Sequence, residues 1–284
     1  MRSFHFLKKR LLSHLKQGSN RYDSRFISDV SEQCNGIGIC SDANQVDHAS
    51  KRATIGNMKV GLLLLAAGSG SRFGGEIAKQ YVEVLGKPLL RYTLESLAAD
   101  PRIALVQPVI SAGDERFAAV VKDQNYPFQL LPPVTGGAER SLSMQQGLYA
   151  LPDDIELVAV HDAARPLPSA ELLADVIDVA QRCGAAVPGL AVADTIKRVN
   201  AEGRVVETPD RSLLRAVQTP QVARRVWFEK ALALEAGRLH LHTDDASLLE
   251  AAGFDVYISR GDINNRKITT PEDLHWLESQ LRGR

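Results

Sequence analysis

At 284 residues with 44% hydrophobic content, the chain is long enough to bury a sizeable core in one large α/β domain or two small ones. Lys plus Arg and Asp plus Glu both number 34, so no net basic field points to nucleic acid and no net acidic one to cations. The longest apolar run, Leu62 to Ala67, is far below the roughly 18 residues of a membrane-spanning helix, and Cys34, Cys40 and Cys183 form neither an even disulfide set nor a zinc spacing, which points to thiols in a reducing, cytoplasmic compartment.

Residues 1–57 scatter Gly, Ser, Asn and Asp without convincing alternation, and this stretch is expected to be a disordered N-terminal extension. Its start places Phe4, Leu7, Leu11 and Leu15 at helical spacing beside Lys8, Lys9, Arg10 and Lys16, a composition similar to an organellar transit peptide. A loosely attached tail and a start codon upstream of the real one are the other readings. Met58, immediately before the first strand, favours the upstream start.

From Lys59 onward short apolar runs alternate with helical periods, the pattern of a mostly parallel, Rossmann-like sheet with helices on both faces. Val60 to Ala66 reads as a buried strand, and Pro88 to Leu97 as a helix with Pro88 at its first position and Leu90, Leu94 and Leu97 on one face. Ile103 to Ile110, Leu157 to His161, Ala185 to Pro188 and Val256 to Ser259 are further strands. Helices are expected from Ser169 to Cys183, stopped by Gly184, and from Thr270 through Pro271 to Leu281. One segment breaks the rhythm. Thr195 to Val199 and Arg204 to Thr208 read as an exposed hairpin, a protruding arm at about 191–214 whose edges suit a partner subunit.

The chemistry-bearing pattern begins at Ala66-Ala-Gly-Ser-Gly-Ser-Arg-Phe-Gly74, directly after the first strand. Gly68 and Gly70 let backbone amides approach a polyphosphate, and the Arg72 fork can grip its oxygens. The spacing is neither a Walker A loop nor a GxGxxG fingerprint, so ATPases and dehydrogenases recede. Lys79, five residues past Gly74, would bring an ammonium beside the phosphates. Asp162 ends a strand where open α/β sheets bind ligands, and it could hold Mg²⁺ or bond a ribose hydroxyl. His161 reads as a packed histidine, and Arg165 as a site residue or a local partner.

With Gly136-Gly-Ala-Glu-Arg-Ser-Leu-Ser143, His161 to Pro166, Asp194 to Lys197, Thr219-Pro-Gln221, Thr243 to Ser247 and Lys267 to Asp273 following in order, the chain resembles the 2-C-methyl-D-erythritol 4-phosphate cytidylyltransferases of the non-mevalonate isoprenoid pathway. The resemblance covers Val60 to about Leu277. It implies a nucleotidyltransferase domain over 58–284 that joins CMP from CTP to methylerythritol phosphate. It further implies that Arg72, Lys79 and Lys267 are catalytic, and that Ala66, Ala67, Gly68, Gly70, Gly137, Ala138, Ser143 and Asp162 surround the nucleotide and its Mg²⁺. Thr195, Arg211 and Thr243 match positions around the acceptor, and the arm would join a homodimer. Ala78, Ala138, Arg215 and Arg266 depart from the common family residues, the last two putting packing near the acceptor in question.

Bringing an anionic phosphate onto the α-phosphorus of a triphosphate requires cancelled repulsion rather than a protein nucleophile or base, which Arg72, Lys79, Lys267 and Mg²⁺ would provide. Transfer to another polyol phosphate such as ribitol 5-phosphate, and a non-catalytic nucleotide-binding protein on the same fold, are the alternatives.

Overall fold

A computed structural model of the chain describes residues 58–68 and 77–283. The expectations for the N-terminal extension, for Gly70 and for Arg72 lie outside the described residues. No helix among the described residues is long and apolar enough to cross a membrane.

Strand β1 (Val60–Leu65) lies between β4 (Ile103–Ile110) and β7 (Leu157–Asp162), parallel to both. Its unbroken apolar run is what a strand covered on both faces requires. Leu62 and Leu64 pack with Leu90, Leu94 and Leu97 of α1 (Leu89–Leu97) and with Leu172 and Val176 of a later helix, while Leu63 turns to Met144 and Leu148 on the opposite face. Before α1, a small hairpin pairs β2 (Glu83–Val84) with β3 (Lys87–Pro88). Pro88 therefore ends a strand and caps the helix, one position earlier than its expected place inside the first turn.

Beyond β4, a short helix α2 (Arg116–Val121) leads to two brief strands, β5 (Gln129–Leu130) and β6 (Val134–Thr135), both parallel to β4. Helix α3 (Arg140–Ala150) then crosses to β7. Helix α4 (Ala170–Cys183) begins where the Ser169 hydroxyl accepts the Leu172 amide and stops at Gly184. Gly184 has φ 95°, and a β-carbon there would come within 2.2 Å of Trp227, so backbone and packing both demand glycine.

After β8 (Ala185–Ala191) comes the arm. Its strands β9 (Arg198–Val199) and β10 (Val205–Glu207) pair antiparallel, shorter than the sequence alternation suggests. Arg198 and Glu207 form an ion pair at 2.7 Å across them. Strands β11 (Arg215–Val217) and β12 (Gln221–Arg224) return antiparallel to β8, and β12 also pairs antiparallel with β7, so one side of the sheet is mixed. Helices α5 (Arg225–Leu234) and α6 (Asp245–Ala251) precede β13 (Tyr257–Arg260), which is parallel to β8. The sheet runs β11-β8-β12-β7-β1-β4-β5, with β13 beside β8 and β6 beside β4. Phe228 and Leu232 of α5 and Leu248 of α6 join Met144 and Leu148 on one face; α1 and α4 cover the other. The last helix, α7 (Pro271–Arg282), starts with a Thr270/Asp273 capping box and Pro271 in its first turn.

Candidate functional site

The register of the central strands brings the chemistry to one edge of the sheet. Leu65 pairs with Val109 on one side and Asp162 on the other, so the chain leaves β1, β4 and β7 side by side at their carboxyl ends. There Ala66 is buried and its carbonyl accepts Gln80 Nε2 at 2.7 Å. The Ala67 carbonyl accepts the Ser111 hydroxyl at 3.1 Å. Gly68 is exposed, with open space where a β-carbon would stand.

Gly136 crosses against this turn so closely that a β-carbon would fall 2.6 Å from Ala67 Cβ and 2.7 Å from Ser143 Oγ. That approach is why the segment needs glycine. The Gly137 amide donates to Ser143 Oγ at 3.1 Å, so Ser143 holds this turn, whereas Ala138 is exposed.

Lys79 Nζ donates to the Ile268 carbonyl at 3.1 Å, and the Ile268 amide donates to the Ala164 carbonyl at 2.8 Å. Lys267 Nζ in turn lies 2.7 Å from Asp162 Oδ2. Lys79 and Lys267 are thus tied to one segment, and Lys267 meets Asp162; Arg72, the third of the cations expected to converge, lies outside the described residues. Arg140, the first residue of α3, completes the cluster: its Nη2 lies 3.3 Å from Asp162 Oδ1 and 2.8 Å from Asp245 Oδ2.

Burial works against an ionised Asp162, but Arg140 first and Lys267 next outweigh it and hold the carboxyl well below the usual carboxylate range. Burial likewise pushes Asp245 up, opposed by Arg140. Arg140 stays charged, since Asp245 and Asp162 overcome its own desolvation.

His161 is fully buried, and both of its ring nitrogens meet protein groups. Burial pushes it down to about 4. Its Nε2 faces the Arg165 carbonyl at 3.1 Å and so carries the proton, leaving Nδ1 to accept the Thr219 hydroxyl at 3.0 Å. Thr219 Oγ1 also accepts the Asp162 amide at 3.2 Å. Arg165 donates to the Asn265 carbonyl at 2.8 Å, and Asn265 Nδ2 to the Thr219 carbonyl at 2.7 Å. These bonds tie the end of β7 to the segment that delivers Lys267.

Gln221 joins the α6 end, donating to Asp244 Oδ2 at 2.9 Å and accepting the Ala246 amide at 2.8 Å. Thr243 is exposed just ahead of this anchor. Thr195 and Arg211 are exposed at the base of the arm, where Arg211 Nη1 donates to the Ala193 carbonyl at 2.6 Å. Among the described residues no hydrogen bond or ion pair joins those two to the Asp162 cluster.

Arg140, Thr219 and Asp245 stand inside the family segments without a role legible from sequence; an arginine and an acid inside otherwise small-residue motifs are the available signals. The departures at Arg215 and Arg266 have local explanations. Arg215 donates to the Ser212 and Leu214 carbonyls at 2.9 and 2.8 Å, and Arg266 pairs with Asp273 at 2.7 Å while lying 5.4 Å from the Trp276 ring centre.

Residues 60–283 match the family model described as IspD, 2-C-methyl-D-erythritol 4-phosphate cytidylyltransferase. A 2-C-methyl-D-erythritol 4-phosphate cytidylyltransferase of Desulforamulus reducens is 40% identical over 77% of this chain and 94% of its own length. A bifunctional enzyme IspD/IspF of Rhodopseudomonas palustris is 43% identical over 77% of this chain; the chain spans only 55% of that relative. The crystal structure of a 4-diphosphocytidyl-2C-methyl-D-erythritol synthase of Anaerococcus prevotii superposes with a TM-score of 0.68 at 30% identity, covering 80% of this chain and 99% of that one. The matched span includes every segment that builds the Asp162 cluster, and the chain belongs to the IspD family of 2-C-methyl-D-erythritol 4-phosphate cytidylyltransferases.

Proposed function

We propose that this chain transfers CMP from CTP to 2-C-methyl-D-erythritol 4-phosphate, giving 4-diphosphocytidyl-2-C-methyl-D-erythritol and pyrophosphate in isoprenoid precursor biosynthesis. The observation that carries the reading is Lys267 on Asp162 at 2.7 Å, with Lys79 bonded to the carbonyl of the very next residue, Ile268. Two cations distant in sequence thus flank the edge from which the glycine loop departs.

In this reading an oxygen of the acceptor phosphate attacks the α-phosphorus as the bond to the β-phosphate bridge breaks, and pyrophosphate leaves. Arg72, Lys79 and Lys267 stabilise the charge that builds on the triphosphate, so catalysis is positioning and electrostatics. Ala66, Ala67, Gly68, Gly70, Gly137, Ala138 and Ser143 cradle the nucleotide. Thr195, Arg211 and Thr243 receive the acceptor.

A magnesium ion carried by the triphosphate would find one protein carboxylate here, Asp162, whose oxygens also face Arg140 and Lys267. Asp162 is one ionised, buried carboxylate, and among the described residues no group of three His, Cys, Asp or Glu forms a protein-only cage. Asp162 would hold the ion, or bond the ribose; the ion supplies neutralisation of the triphosphate.

The same proposal takes residues 58–284 as one nucleotidyltransferase domain after an extension over 1–57, with the arm at about 191–214 reaching to a second subunit. Exposed Ile196, Val199, Val205, Val206 and Leu213 on and around the arm support a homodimer. The cysteine spacing, which suits a reducing compartment, supports a cytoplasmic location.

Pyrophosphate release from CTP, measured with methylerythritol phosphate and with ribitol 5-phosphate, tests the reading. Release with the first acceptor is expected. Release with ribitol 5-phosphate alone would move the activity to that polyol, and CTP binding without release would leave a non-catalytic nucleotide-binding protein.

A further inference from the structure

A single guanidinium holds two buried acids that arrive from distant parts of the chain. Arg140 opens α3 and Asp245 opens α6, and neither belongs to the strand that carries Asp162. Arg140 Nη2 lies 2.8 Å from Asp245 Oδ2, while Nε and Nη2 each lie 3.3 Å from Asp162 Oδ1. The shorter contact is the anchor. It is an ion pair without an aligned hydrogen bond at Asp245 Oδ2, whose carboxylate is almost wholly buried.

The other oxygen of Asp162 belongs to Lys267. Each Asp162 oxygen thus faces a different cation, and rotating the carboxylate would break both contacts. Asp245 in turn is fixed by its helix start, where Asp244 caps the Ser247 amide at 2.9 Å and Gln221 grips both Asp244 and the Ala246 amide. Nη2 meets both carboxylates while Nε adds a second contact to Asp162, so the planar fork fixes the guanidinium's orientation; a lysine ammonium would keep the charge without that second, oriented donor.

We infer that Arg140 is a positioning residue for the transfer reaction, oriented by Asp245 and acting through Asp162; the inference rests on the functional reading above. It also joins the acid at the nucleotide edge to the helix start that follows Thr243, so the two sides of the site share one rigid link.

The test uses the full chain and compares Arg140→Lys, Asp245→Asn and Asp162→Asn with the two doubles that contain Asp162→Asn. Measurements are kcat and KM for both substrates, CTP affinity by calorimetry, and thermal melting. Arg140→Lys is expected to lower kcat by about 10- to 100-fold with KM for CTP moved less than about threefold. In the Asp162→Asn background the same change should lower kcat or CTP affinity by less than about twofold, because the group through which Arg140 acts is gone. Asp245→Asn, nearly isosteric, should follow the same pattern with a loss of about 5- to 10-fold.

Equal losses in both backgrounds would show a merely structural role and overturn the inference, as would wild-type kcat in either single variant. Should Arg140→Lys fail to fold, Asp245→Asn and its double decide. A wild-type chain that releases no pyrophosphate from CTP would overturn the functional reading and this inference with it, whereas equal kcat losses in an active wild-type background overturn the positioning role alone.

Discussion

Replacing Lys267 with alanine removes one of the two cations that hold Asp162 while leaving the fold intact, which makes activity and stability separable. The Lys267 side chain is 36% exposed and that of Asp162 11%, and Arg140 remains on Asp162 Oδ1. The lost pair therefore lies between an exposed ion pair, worth at most about 1 kcal/mol, and a broken buried one at about 3–5 kcal/mol. A destabilisation of roughly 1–2 kcal/mol follows, or a melting-temperature drop of about 2–8 °C for a chain of this size. That is too little to unfold the protein at 25 °C. If Lys267 faces charge developing on the triphosphate, kcat should nevertheless fall about 10²- to 10³-fold, equivalent to about 3–4 kcal/mol. A pyrophosphate-release assay beside a thermal melt reads both quantities. Turnover within about threefold of wild type, in a variant that melts as expected, would remove Lys267 from the reaction and leave it as a structural partner of Asp162.

Lys79→Ala should show a similar loss of about 10²- to 10³-fold in kcat, and near-normal turnover would end its assigned role. Arg211→Ala should raise the acceptor KM more than that of CTP, and an unchanged acceptor KM would take the arm base out of the site. Gly184→Ala should destabilise by roughly 2–3 kcal/mol in denaturant titration, because the left-handed backbone and the approach of Trp227 at 2.2 Å both oppose a β-carbon; an unchanged midpoint would contradict that packing. Tyr81 supplies a pH test. Burial, then the 2.6 Å hydrogen bond to Asp114, pushes its hydroxyl above the ordinary tyrosine value of 10.0. The unfolded chain releases that proton first, so stability should fall as pH rises past 10.0, and Tyr81→Phe should flatten this alkaline limb. Parallel alkaline limbs in the two proteins would refute it.

Much of the frame was legible because single elements carry their own signals. The short, mostly apolar runs of β1, β4 and β7 read as strands buried on two faces, and Ser169 with Gly184, or Thr270 with Pro271, marked helix ends by local chemistry. Strands β11 and β12 were not legible. Arg215–Val217 and Gln221–Arg224 are short, flank Pro220, and owe their pairing to β8 and β7 rather than to any periodicity of their own. The arm strands are shorter than the alternating residues around them because only Val199 with Val205 and Arg198 with Glu207 pair. Arg140 and Asp245 stood inside recognised segments, yet an arginine at a helix start reads as a solvated charge until its two acids are known.

The site itself follows from strand order more than from any motif. Parallel neighbours end on the same edge, so once β1 lies between β4 and β7, whatever follows Leu65, Ile110 and Asp162 must meet. The residues after Ile110 return through β6, which sets Thr135 opposite Ile110 and delivers Gly136 against Ala67. Lys267 arrives by another route. It follows no strand of that trio, and the backbone bond from Ile268 to Ala164 pins it beside β7 across 105 residues of sequence from Asp162. Loosening that anchor should therefore disturb Lys79 and Lys267 together, since Lys79 is bonded to the same residue, Ile268.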